Sequence, residues 1–193
     1  NVLANISKNL IVTCEDPSGI YYIGDYALKS GQTVRNIEVG VDNNKIESPI
    51  VQVNTLGQIA GAAIIEYSKN NELAKADIIK VKVDMTTSLP VSYYSKKNAI
   101  EFANKFLNKT HLVTVHIGNK DIRGQIEFEY VKTIPEGVTA SFYFREAPEE
   151  LFCEYNEKNE DKIDSNFFKN ARVLHVAIGE GTTEYPLTTG IEF

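Results

Sequence analysis

Between residues 78 and 85 the side chains alternate in character. Ile79, Val81, Val83 and Met85 take one face, and Lys80, Lys82 and Asp84 the other, which is the two-residue period of a strand with one wet face. Two stretches of helical period bracket it. Upstream, residues 54–70 carry Leu56, Ile59, Ala60, Ala63, Ile64 and Tyr67 at i, i+3, i+4 spacing, with Asn54 or Thr55 placed to cap the start. Downstream, Ala99, Phe102, Ala103, Phe106 and Leu107 form the apolar face of a helix opened by Ser92 or Ser95, and Lys96, Lys97, Glu101 and Lys105 form its solvated face. Each of these elements must bury one face against a neighbour, so helix, strand and helix in succession predict a layered α/β arrangement. Gly57 and Gly61 lie inside the first helix, where each costs about 1 kcal/mol relative to Ala. The expectation is a helix packed closely on a sheet.

Two hairpins add antiparallel neighbours and make the predicted sheet mixed. In the first, residues 9–13 and 20–24 flank the turn Asp16-Pro17-Ser18-Gly19; in the second, residues 110–117 and 121–132 flank Gly118-Asn119-Lys120. Residues 31–49 read as a polar loop with a turn at Asp42-Asn43-Asn44-Lys45. The run Thr86-Thr87-Ser88-Leu89-Pro90 reads as a loop at a strand end, the place where an α/β sheet presents ligand groups. Pro135-Glu136-Gly137 predicts a short helix over residues 136–145, with the Glu136 carboxylate facing the positive helix end. Residues 146–164 hold eight acidic residues and two lysines without calcium-loop spacing, and read as a solvated surface excursion.

Composition narrows the classes of function. With 42% hydrophobic residues the chain has an ordinary globular make-up. Its net charge of −6 disfavours non-specific nucleic-acid binding, which rests on Lys and Arg. No run approaches the ~20 apolar residues of a membrane span, and residues 1–9 lack a signal-peptide pattern. Cys14 and Cys153 lie far apart and read as lone cysteines of a cytosolic, cytoplasmic protein. His111 and His116 are five apart on a predicted strand and so face opposite ways; with His175 they lack metal-ligand spacing, and all three read as structural.

The last stretch carries the chemistry. An apolar strand over residues 173–178 runs into a tight turn, Gly179-Glu180-Gly181, and Thr182 and Thr183 start a second strand. Glycines let the backbone turn sharply, and successive N–H groups in such a turn make a concave anion site to which two hydroxyls add donors. An ordinary hairpin turn has the same appearance. Both readings stand on the turn alone.

Three stretches together resemble the bacterial actin-like plasmid-segregation ATPases of the ParM/StbA type. They are residues 89–98 (Leu-Pro-Val-Ser-Tyr-Tyr-Ser-Lys-Lys-Asn), residues 131–137 (Val-Lys-Thr-Ile-Pro-Glu-Gly) and residues 178–185 (Ile-Gly-Glu-Gly-Thr-Thr-Glu-Tyr), with the segment Tyr21-Tyr22-Ile23-Gly24-Asp25-Tyr26-Ala27 in front of them. The resemblance covers nearly the whole chain, most firmly residues 76–137 and 172–190. It implies an actin-like fold, in which two ribonuclease-H-type domains flank a cleft for ATP and Mg2+. Residues 1–177 would be the first domain without its first phosphate hairpin, and residues 178–193 the start of the second, so that the chain looks like a piece of a longer protein.

The resemblance also assigns roles. Gly179, Glu180, Gly181, Thr182 and Thr183 match the second phosphate loop, and Glu136 matches the acidic residue that orients the attacking water. The family places Asp just before the Ile-Gly-Glu-Gly turn to hold water around the metal; here that residue is Ala177, whose methyl group cannot do so, and weakened turnover is expected. The implied function is an ATPase that forms nucleotide-dependent filaments and segregates plasmid DNA. Its partners would be other protomers and a DNA-binding adaptor protein, with no direct nucleic-acid or membrane contact. Two alternatives remain: a non-polymerising ATPase of the actin, sugar-kinase and chaperone superfamily, and a nucleotide-independent binding module.

Overall fold

The first hairpin closes more tightly than its turn sequence predicts. Strands β1 (Asn9–Glu15) and β2 (Ser18–Gly24) pair antiparallel from Asn9↔Gly24 to Glu15↔Ser18, leaving Asp16 and Pro17, joined by a cis peptide, as the loop. This is a computed structural model; it describes residues 5–35, 45–179, 183–190 and 192 of the 193. The predicted turn at Asp42-Asn43-Asn44 lies outside the described residues, and Lys45 stands in a turn.

The described residues form two compact units. The first comprises residues 5–35, 45–86 and 100–132, and the second residues 87–99, 133–179, 183–190 and 192. Helix α1 (Asp25–Lys29) follows the first hairpin, and helix α2 (Pro49–Asn70) comes next. Strand β3 (Ile78–Leu89), helix α3 (Lys96–Asn104), and strands β4 (Thr110–Ile117) and β5 (Lys120–Pro135) complete a sheet of order β2-β1-β4-β5-β3. The pairs β1–β2, β1–β4 and β4–β5 run antiparallel. The α/β class and the mixed sheet flanked by helices are as expected.

The core of the first unit follows from the sequence pattern. Leu56, Ala60 and Ile64 of the α2 stripe are buried with Leu10, Val12, Val113, Val115, Ile122 and Ile126 of the sheet. Each buried Val, Leu or Ile side chain contributes about 1.5–3 kcal/mol. Gly57 permits close approach, since a Cβ there would stand 2.9 Å from Ile23 Cδ1, whereas at Gly61 it would make an ordinary contact at 3.4 Å from Leu10 Cδ2. Phe102 and Phe106 pack edge to face at 5.8 Å, and Phe106 meets Phe128 at 5.2 Å. His111 points inward and bonds the Phe106 carbonyl through Nε2 at 2.9 Å. His116 points the other way, to Thr13 and Asp121. Cys14 is buried, and desolvation pushes its thiol up to about 11. Cys153 is exposed, and both cysteines are free.

In the second unit, helices α4 (Thr139–Glu146), α5 (Glu150–Lys158) and α6 (Ser165–Asn170) precede four short strands. Phe168 stacks on Phe144 at 5.1 Å and on Phe152 at 5.8 Å. Phe152 is the one buried residue of α5, so the acidic excursion is solvated as its composition predicts. Strands β6 (Arg172–Leu174) and β9 (Leu187–Thr189) pair antiparallel, as do β7 (Ala177–Ile178) and β8 (Thr183–Glu184).

Several boundaries differ from the sequence expectation. Helix α2 begins at Pro49, so Asn54 and Thr55 lie inside it and cap nothing. A proline at the first helical position needs no N–H there, which is why this start is stable. Residues 86–89 continue β3 rather than forming a loop. Of the two candidate openers of α3, Ser95 serves: its Oγ accepts a hydrogen bond from Asn98 N at 3.1 Å.

Candidate functional site

Strand β5 delivers Glu136 to the end of β3. Its backbone N–H donates to the Leu89 carbonyl at 2.8 Å, and its side chain is half-buried. The expected helix does not begin here. Gly137 has φ +82°, a left-handed conformation outside the helical range, and α4 starts at Thr139. Glu136 therefore stands in a turn ahead of the helix, not in its first turn. Gly137 also lies hard against the last hairpin. A Cβ there would meet Pro186 Cγ at 2.9 Å and Ala177 Cβ at 3.4 Å.

The apolar run 173–178 is two strands rather than one. Leu174 ends β6, and His175 breaks the run by donating its backbone N–H to the Pro186 carbonyl at 2.9 Å. Ala177 then starts β7, paired with Glu184, and Ile178 pairs with Thr183. Gly179 and Thr183 are exposed at the end of this hairpin; Glu180, Gly181 and Thr182 lie outside the described residues. The Glu184 carboxylate accepts a hydrogen bond from Val91 N at 3.2 Å. Three of the sequence-singled segments thus meet: the chain after β3, the Glu136 turn and the hairpin. Beside them lies a cavity of about 320 Å³ lined by Val91, Tyr94, Ser95, Lys96, Pro135, Pro186 and Leu187.

Under the hairpin is a buried polar cluster. Ser141 Oγ lies 2.6 Å from His175 Nε2 and 3.1 Å from Thr188 Oγ1, and the last two atoms are 3.0 Å apart. Burial holds the His175 pKa below the ordinary histidine value. Sequence reasoning placed His175 as structural, and missed Ser141, Thr188, Val91 and Glu184. A histidine interrupting an apolar run was the available signal for a strand break.

Gly179 offers a backbone N–H and Thr183 a hydroxyl, both exposed beside the β7–β8 pair. Ala177 brings a methyl group, and among the described residues no three His, Cys, Asp or Glu side chains gather as a metal-ligand set. Mg2+ commonly keeps several waters and reaches a site on substrate phosphates, a mode that needs few protein ligands.

Among the described residues no helix is long and apolar enough to cross a membrane. No curated protein matches the chain in sequence. The crystal structure of the actin-like protein Alp7A matches with a TM-score of 0.63 and 21% identity, over 99% of this chain and 45% of that one. The chain thus spans less than half the length of Alp7A, and the likeness shows a shared fold. The family described as actin like proteins N terminal domain matches residues 2–138, which is most of the chain. By that match the chain belongs to the actin-like proteins and carries their N terminal domain.

Proposed function

We propose that the full-length protein is an ATPase of the ParM/StbA type, which assembles into filaments on binding ATP with Mg2+ and moves or positions plasmid DNA. One observation carries this reading beyond family membership: the Glu136 turn and the β7–β8 hairpin lie in contact, through Gly137, Ala177 and Pro186. In this reading residues 1–177 belong to the first domain and the second begins at residue 178. Gly179, Glu180, Gly181, Thr182 and Thr183 hold the β- and γ-phosphates through N–H groups and hydroxyls. Glu136 accepts a hydrogen bond from the attacking water and fixes its line of approach. Phosphoryl transfer depends mainly on such positioning and on charge stabilisation. Ala177 cannot order water around a metal, so turnover is slow and filaments persist. The net charge of −6 favours contact with DNA through an adaptor protein rather than directly, and the cytoplasm is the expected compartment.

Light scattering of the full-length protein with and without Mg-ATP tests the proposal. A nucleotide-dependent rise supports it. ATP turnover with no rise favours a non-polymerising ATPase of the same superfamily. No ATP binding by calorimetry favours a nucleotide-independent binding module.

A further inference from the structure

We propose that Ser141, His175 and Thr188 form a positioning node that holds the Glu136 turn and the β7–β8 hairpin in one fixed arrangement. The contacts close a circuit. Gly137 abuts Pro186; the Pro186 carbonyl accepts from His175 N; the His175 ring meets Ser141; and Ser141 sits on the first turn of α4, which begins two residues after Gly137. Thr188 closes the circuit from the other side, since it pairs with Val173 in the β6–β9 ladder and reaches both Ser141 and His175. Each side of the candidate site is thus tied to the other by a path that avoids the reacting groups.

The composition of the node supports a geometric role. Ser141, His175 and Thr188 are 5%, 8% and 1% exposed, so all three polar groups have left water. Apolar residues of similar size would pack there without desolvating polar atoms. Hydrogen bonds, unlike apolar contacts, are directional, and a fully satisfied buried network fixes one arrangement among many. Burial holds the His175 pKa below the ordinary histidine value, which disfavours a charged ring among these groups. The significance for catalysis rests on the reading of Glu136 and the hairpin given above; the node itself does not.

Amide hydrogen exchange on the full-length protein tests the node without relying on activity. Thr188→Val keeps the side-chain shape and removes the hydroxyl, whereas Thr188→Ser keeps the hydroxyl. In Thr188→Val, exchange should rise about tenfold in residues 135–140 and in residues 183–188 together, with residues 112–126 unchanged. Thr188→Ser should behave as the parent. A rise in only one of the two segments, or an equal rise in residues 112–126, would overturn the proposal. Should Thr188→Val fail to fold, Ser141→Ala is read in the same way. ATPase kinetics add a second readout: the node predicts a lower kcat at unchanged KM in Thr188→Val. The expected exchange pattern in a protein that turns over no ATP would uphold the node and remove the functional reading.

Discussion

The Glu184 carboxylate caps the backbone N–H of Val91, reaching it at 3.2 Å from strand β8. The contact ties the chain after β3 to the hairpin, and both groups are partly buried. Glu184→Ala leaves that N–H without its partner and should cost about 1–2 kcal/mol, whereas Glu184→Gln keeps a carbonyl acceptor and should cost less. Urea denaturation of the two variants checks this; equal midpoints would show that the hydrogen bond contributes nothing measurable.

Glu136→Gln should lower ATP turnover by about 10²-fold or more, the range for loss of a positioned acid–base group. The amide keeps the size of the side chain, so filament formation on Mg-ATP should persist. Phosphate release and light scattering on the same sample separate the two effects. Unchanged phosphate release would assign Glu136 to the turn alone.

Ala177→Asp places a carboxylate beside Gly137 and opposite Glu184 in the β7–β8 pair. Turnover should rise by about tenfold, or ~1.4 kcal/mol of barrier. Filaments should then shorten in lifetime, since hydrolysis would follow assembly more quickly. A turnover unaffected by the substitution would show that residue 177 is not where the metal's waters are held.

The two α2 glycines should respond differently to Ala. At Gly61 the new methyl meets Leu10 Cδ2 at an ordinary 3.4 Å, so the helix-propensity gain of up to about 1 kcal/mol should appear as added stability. At Gly57 it meets Ile23 Cδ1 at 2.9 Å, and the side chain must shift, which offsets most of that gain. Thermal melts of both variants give the comparison; a larger gain at Gly57 would contradict the packing.

Acid should destabilise the fold before the carboxylates titrate. Burial is the main cause that lowers the pKa of His111, with Lys109 adding to it and the Phe106 carbonyl and Asp16 opposing, and burial alone lowers that of His175. The unfolded chain takes up these protons near the ordinary value of about 6.5, where the folded chain still refuses them. Stability is therefore complete above that pH and falls as the pH drops toward the depressed folded values. Urea midpoints at about pH 7.5 and 5.5 should differ in that direction with an unchanged m-value.

Elements whose burial follows a simple period were legible in the sequence. The β3 alternation, the α2 stripe through Leu56, Ala60 and Ile64, and the Phe102–Phe106 face all hold. Boundaries set by backbone conformation were not. Pro135-Glu136 has the composition of a helix start, yet the φ of Gly137 delays the helix to Thr139. Residues 173–178 have the composition of one strand, yet His175 is drawn to Pro186 and two hydroxyls, and the run divides. Those partners lie 11, 13 and 34 positions away along the chain, beyond the reach of any local pattern. At the site, the segments were legible as motifs, but their contact through Gly137 and Pro186 was not.

The walled-in thiol of Cys14 makes the first sheet its own clock. Only a thiolate reacts readily with alkylating reagents, and this one is suppressed by burial, whereas Cys153 stands in solvent on α5. Cys153 will label at once and can carry a fluorophore into an assembly assay. Cys14 will label only when β1 parts from its neighbours, so its modification rate counts those openings, and nucleotide or filament formation that steadies the domain will slow the count.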